Sequence, residues 1–365
     1  MKRSKILVLA LVLILMLTMV LSGCGQQQQQ AAPEQESQQE SQQETQQEQP
    51  KTTYPERNIN AVCGFSPGGP TDVIARGILP ILQEILGVGI GITNTPGAAS
   101  ATAASNVLQA EPDGYTLFFG SEIMSVWQTM GTADISPTRD FIPIKIVSQA
   151  IPVMAVPADS PFKTPQELVE YAKANPGKLR LSTAGPGTVP HISGLLLEKY
   201  LGCKFTFVPY QGGQPAITAA MGGQVDCTIE MVQSMVEAYK GGKLRILASF
   251  TNEPIEGLEE IEPFGKLYPE VGKYLPYGPY FGLFAPKGTP DEVIQVLKEG
   301  LDKAIQDQRW IDYTDKLFLV RVDYSGEEAY KFLEEWTSKA AWLLYDTGGA
   351  QNNPADFGIE RPKEE

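Results

Sequence analysis

Residues 58–86 read NINAVCGFSPGGPTDVIARGILPILQEIL. Residues 58–65 carry the apolar run of a buried strand, 66–70 form a tight turn, and in 71–86 Ile74, Ile78, Ile81, Leu82 and Ile85 recur on one helical face. Pro80 predicts a kink in that helix. The turn is rich in glycine and holds neither Lys nor Arg. Free backbone N–H groups at a helix N-terminus, with glycines that admit close approach, can hold an anion without any cationic side chain. The same strand, glycine corner and helix recur at residues 182–191 (STAGPGTVPH) and 210–215 (YQGGQP). One such corner is ordinary architecture; three of them, all cation-free, point to an anionic ligand. No Gly-Lys-Ser/Thr follows these glycines and no G-x-G-x-x-G spacing is present, which excludes P-loop and Rossmann nucleotide sites.

Outward from that stretch, short apolar runs alternate with helical periodicity, the pattern of α/β construction. Strands are predicted at 89–93, 115–119, 144–147, 153–156, 179–183, 205–209, 225–230, 245–249 and 280–284. Helices are predicted at 98–109, 123–129, 165–174, 192–200, 215–221, 291–305 and 327–344. Thr164-Pro165-Gln166-Glu167 places Pro at the first helical position and an acid in the first turn, where both are favoured. Two similar α/β units result. If the tail completes the first, the chain crosses between lobes near 153–157 and 281–285, dividing it into lobe 1 (54–156 plus 285–365) and lobe 2 (157–284).

The N-terminus reads MKRSKILVLALVLILMLTMVLSGC: a cationic start, an apolar run too short for a comfortable span, and small residues ending at Cys24. Residues 1–23 are expected to be a signal peptide, with Leu21-Ser22-Gly23-Cys24 as a lipobox and Cys24 as the lipidated first residue. Residues 24–53, mostly Gln, Glu and Ser, have too little apolar surface to fold and are expected to form a tether with a reach of about 30 Å.

The formal charge of −14 excludes nucleic acid as a natural partner. Cys63, Cys203 and Cys227 form no C-x-x-C and there is one histidine, so neither metal nor cofactor is expected. Buried free thiols are expected, with a Cys203–Cys227 disulfide as the alternative. His191, at the mouth of a helix, has no nucleophile or orienting acid placed beside it, and a neutral, loop-supporting ring is expected. Trp127 and Tyr280 are expected in the core.

Taken in order, GFSPGGPTDVIAR, NTPGAASATAASNVLQAEPDGYTL, STAGPGTVPHISG, VPYQGGQPAITAAMGGQVD, GKLRILA and FGLFAPKGTP resemble the substrate-binding proteins of tripartite tricarboxylate transporters, the Bug receptors. The resemblance implies a type II periplasmic-binding-protein-like α/β fold, two lobes joined by two crossing strands around a ligand cleft, and no catalysis. It implies that Phe65, Ser66, Pro67, Gly68, Gly69 and Thr71 from one lobe, with Ala184, Gly185, Gly187 and Thr188 from the other, pinch a carboxylate. Tyr210 and Gly212 would border the cleft and Asp72 would brace the first corner. Ser121, Glu122, His191, Glu230 and Phe281 complete the candidate binding set. Glu122 and Glu230 read first as solvated acids; if both enter the cleft, they would repel the far carboxylates of a citrate-like ligand and favour an amino group or hydroxyl. The implied partners are a small organic carboxylate or amino acid, permease subunits, and the extracytoplasmic face of the cell membrane through the lipid anchor; a monomer is expected. An enzyme of similar shape and a sensory or scaffolding lipoprotein are the alternatives.

Overall fold

The structure, a computed structural model, describes residues 53–210, 212–275 and 277–363. The signal peptide, Cys24 and nearly all of the tether lie outside the described residues.

Strands β1 (Ile59–Cys63), β2 (Ile90–Asn94), β3 (Thr116–Ser121), β4 (Phe141–Gln149), β11 (Tyr280–Pro286) and β12 (Val320–Tyr324) form a six-stranded sheet in the order β12-β4-β11-β3-β1-β2. Strands β5 (Pro152–Pro157), β6 (Leu179–Thr183), β7 (Phe205–Pro209), β8 (Cys227–Met231), β9 (Leu244–Ser249) and β10 (Glu262–Pro263) form a second, in the order β10-β9-β5-β8-β6-β7. The longer helices are α1 (Pro70–Leu86), α2 (Ala101–Leu108), α3 (Pro165–Ala174), α4 (Val189–Leu201), α5 (Gly213–Met221), α6 (Val232–Lys240), α7 (Asp291–Ala304), α8 (Gln308–Lys316) and α9 (Gly326–Asp346).

Local chemistry sets several of these boundaries. Helix α1 buries Ile74, Ile78, Ile81 and Leu82 and ends on Gly87 in the left-handed conformation. It continues past Pro80 as one helix, with Pro80 on its exposed side. At α3 the Thr164 side chain accepts from the Glu167 N–H while the Glu167 carboxylate reaches back, a complete capping box. One apolar cluster runs through both sheets, from Phe118, Phe141 and Phe284 to Leu181, Ile192 and Phe205. A second, with Val153, Ala155, Ile217 and Val236, covers the other face of the second sheet.

Sheet membership displaces both expected crossings. The expected divisions at 156/157 and 284/285 fall inside β5 and β11, each of which pairs wholly within one sheet. The chain passes between sheets at Ala150-Ile151 and again between Pro263 and Tyr280. The two passages touch: the Ala150 N–H donates to the Pro279 carbonyl at 2.9 Å. Cys203 and Cys227 are buried free thiols, and burial pushes the Cys203 thiol up to about 12.

Candidate functional site

Strands β1, β2 and β3 run parallel, as do β6, β7 and β8, so each trio presents a row of carboxyl ends on one sheet edge. Phe281, at the start of β11, pairs with Ser121 at the end of β3, and Pro152, at the start of β5, pairs with Met231 at the end of β8. Both interlobe passages therefore leave from these edges, which brings the two rows of carboxyl ends to the same junction. Ligands of open α/β sheets bind outside the carboxyl ends of strands. All three glycine corners lie there.

At the first corner Asp72, 1% exposed, is the organising group. Its Oδ2 accepts from the Gly68 N–H (2.8 Å) and Arg76 Nε (2.9 Å), and its Oδ1 accepts from Asn94 Nδ2 (2.9 Å). Asn94 also donates to the Phe65 carbonyl. Gly68 holds φ +81°, which a residue with a Cβ rarely adopts. Burial by itself would raise the Asp72 pKa, but the donors Arg76, Gly68 and Asn94 outweigh it and hold the carboxyl below its ordinary value.

At the second corner the Gly187 N–H donates to His191 Nδ1 (3.2 Å) and the Thr188 hydroxyl donates to the Gly185 carbonyl (2.6 Å). An accepting Nδ1 requires a ring without a proton there, and burial lowers the His191 pKa, so the ring is neutral. The Tyr210 N–H donates to the Thr183 carbonyl and ties the third corner to the second. Gly187 also backs onto Met130, beyond the end of β3, where a Cβ would come within 3.3 Å of the Met130 side chain.

A fourth corner went unrecognised in the sequence. Residues 98–100, expected to begin a helix, instead hold three successive left-handed conformations, with φ +44°, +47° and +75° at Ala98, Ala99 and Ser100. Trp127 Nε1 pins this turn through the Ala99 carbonyl (2.7 Å), and Gly64 packs so closely that an added Cβ would lie 2.7 Å from Ser100 Cα. Strained backbone of this kind persists where the surroundings over-determine it. The stretch NTPG in residues 94–97 was its one sequence signal.

The profile of the tripartite tricarboxylate transporter family receptor matches residues 74–348. The chain belongs to this receptor family. It is 26% identical over 300 residues to protein BugT of Bordetella pertussis, covering 81% of this chain and 91% of that one. It is 29% identical to a Cupriavidus necator protein, covering 82% and 90%. The solved structure of the periplasmic binding protein BugD shares the fold with a TM-score of 0.71 and 26% identity, covering 81% of this chain and 99% of that one. MatC of Rhodopseudomonas palustris, solved with bound malate, gives 0.69 and 26%, covering 80% and 100%. In family and fold this receptor is a periplasmic-type solute-binding protein.

In the receptor several amides implied as ligand donors are already engaged. Those of Gly68 and Gly187 serve Asp72 and His191, the Gly69 N–H donates to the Ser66 carbonyl (3.1 Å), and that of Thr188 to Gly185 (3.4 Å). The amides of Ser66, Ala184 and Gly185 have no partner among the described residues and remain available. Phe281 is 1% exposed inside the large apolar cluster, so packing takes its side chain. Trp127 is equally buried, and Tyr280 bonds Ser125 at 2.7 Å. Ser121 is buried at the β3 edge, where its hydroxyl moderates the Glu122 carboxyl. Glu122 is partly shielded and burial pushes it up to about 7. Glu230 is 5% exposed, lies against Gly213 where α5 begins, and is pushed up to about 8 by burial. Tyr277 and Gln233, not singled out in the sequence, add a buried hydroxyl and a buried carbonyl oxygen without partners among the described residues. A groove of about 1260 Å³ lies elsewhere, lined by Arg139, Lys273, Tyr274 and Glu334 among others, and shares no residue with the corners.

Among the described residues no group of three or more His, Cys, Asp or Glu could hold a metal ion, and no helix is long and apolar enough to cross a membrane.

Proposed function

We propose that this receptor is exported, anchored by lipid at Cys24, and captures a small organic carboxylate between the carboxyl edges of its two sheets for delivery to a membrane permease. The observation that carries the reading is the convergence of cation-free corners on one junction, with unengaged amides at Ser66, Ala184 and Gly185. A relative solved with malate supports the same ligand class.

A micromolar ligand needs about 8 kcal/mol. Helix ends contribute about 0.3 to 2 kcal/mol each, so dipoles alone fall short. Charge-assisted hydrogen bonds of about 1.5 to 3 kcal/mol each, with water expelled as the lobes close on adjacent crossings, make up the difference. Closure then follows from tighter binding to one state, and the closed form is what the permease would read. The net charge of −14 does not oppose this, because distant surface charge is screened beyond about 8 to 10 Å.

A melting screen against mono- and dicarboxylates and amino acids tests the reading: a true ligand at a hundredfold excess over Kd adds about 2.7 kcal/mol of stability. Absence of a shift with every acid would favour a scaffolding role, and turnover of a bound acid would favour an enzyme. Separately, Cys24→Ser is expected to move the protein from the membrane fraction to the soluble extract; retention in the membrane would sink the lipid anchor.

A further inference from the structure

A cleft that grips an anion through amides has no use for a buried carboxylate, yet Glu230 stands at its edge. Cys227, Ile229 and Met231 of β8 enter the large apolar cluster, and strand alternation turns Thr228 and Glu230 to the opposite face. There the Glu230 carboxyl meets the start of α5, where a Cβ on Gly213 would lie 2.6 Å from its Oε2. Glu230 Oε1 is buried without a hydrogen-bond partner among the described residues, and the Met231 N–H is the donor that the carboxyl has. Three residues on, in the first turn of α6, Gln233 Oε1 is a second buried acceptor left open. One backbone donor does not satisfy a buried carboxylate, and such groups are paired with charge or further donors in folded proteins. What the edge of β8 lacks is a donor to the open oxygen, preferably a positive one.

We infer that Glu230 is the recognition point for an ammonium group, so that the receptor takes a small zwitterion, its carboxylate held at the amide corners and its cationic end at Glu230 and Gln233. The inference rests on the receptor reading above and narrows its ligand class. Glu122, across the junction on the first sheet, adds negative potential of the same sign and disfavours a second carboxylate there.

The experiment is calorimetry on the purified full-length protein with paired probes of three to six carbons: ω-amino acids, the dicarboxylates of equal length, and the plain monocarboxylates. At the best length the amino acid should bind at least tenfold more tightly than its dicarboxylate. Glu230→Gln, close in shape, should erase that preference, the amino acid losing at least fivefold more affinity than the monocarboxylate, and Glu230→Asp should retain part of it. Tighter binding of the dicarboxylate by the parent, or a preference unchanged by Glu230→Gln, overturns the ammonium site and leaves the receptor reading standing. Binding of no probe at all overturns both. A variant that melts far below the parent is read through Glu230→Asp, in which a preserved preference supports the site and a lost one, with the monocarboxylate still bound, counts against it.

Discussion

Asp72→Ala is expected to lower stability at neutral pH by about 2 to 3 kcal/mol and to weaken binding of any carboxylate ligand about a hundredfold. The deletion leaves the Gly68 N–H and Asn94 Nδ2 without their buried acceptor and frees Arg76 from its ion pair. Each lost bond to a charged group is worth about 1.5 to 3 kcal/mol, discounted because Arg76 is half exposed and regains water. The larger consequence is for binding. Gly68 sits at φ +81° and is held there by the Asp72 carboxylate, so without it the Ser66 amide is no longer fixed towards the ligand. Asp72→Asn, which keeps one accepting oxygen, should fall between parent and alanine variant. The pH dependence has a defined sign. The folded pKa is depressed below the ordinary 3.8, so the stabilisation is present above that value and is lost as pH falls through the lower folded one. The gap between parent and Asp72→Ala in urea unfolding should therefore narrow below about pH 4. Equal midpoints and equal affinity at pH 7 would remove Asp72 from its bracing role.

Most of the fold was legible because its elements obey local rules. Residues 179–183 and 205–209 are short apolar runs bounded by turn residues, and they pair as parallel strands with those same limits. The capping signature at Thr164 fixed the start of α3, where the chain's own side chains supply the missing partners. The elements that went unread depend on tertiary context. Helix α6 follows β8 without a glycine or proline between them, and its start is marked only by Val232 bonding across to Ile151. Strand β12 carries exposed Arg321 and Asp323 and shows almost no apolar alternation, because it is a sheet edge. The crossings were placed inside strands because a passage between sheets has no composition of its own. Pairing partners decide it, and those are far away in sequence. At the site, glycine and the absence of cations revealed the corners. What they could not reveal was which amides are spent within the chain, since His191 and Asp72 act through geometry that spacing alone does not fix. The left-handed run at Ala98, Ala99 and Ser100 was hidden for a related reason: alanine reads as helix, and only Trp127 and Gly64 hold it otherwise.

The parent protein is expected to lose several kcal/mol of stability as pH rises from about 5 to about 8.5, and Glu230→Gln to remove most of that slope. Burial raises the folded pKa of Glu230 from 4.5 to about 8, so the native state binds a proton that the unfolded chain has released. Stability then falls with rising pH between those two values, each pKa unit being worth about 1.4 kcal/mol. Glu122, raised to about 7, acts with the same sign, although its partial exposure weakens the effect. His191 opposes them: its pKa is lowered by burial, so its contribution is lost as pH falls below 6.5 and regained as pH rises to that value. The remaining shifted groups lie outside the window. Asp226, Asp307 and Asp346 are held below the ordinary carboxylate range and act in acid, while the buried cysteines are raised and act in alkali. Urea midpoints at pH 5, 6.5, 8 and 8.5 for the two proteins isolate the Glu230 contribution, because His191 and Glu122 are common to both. Parallel curves would mean that the Glu230 carboxyl is hydrated and ionised in the folded state rather than held neutral by burial. A bound ammonium group, by contrast, would pull the Glu230 pKa back down, so a saturating zwitterion should flatten the parent curve where the plain monocarboxylate does not.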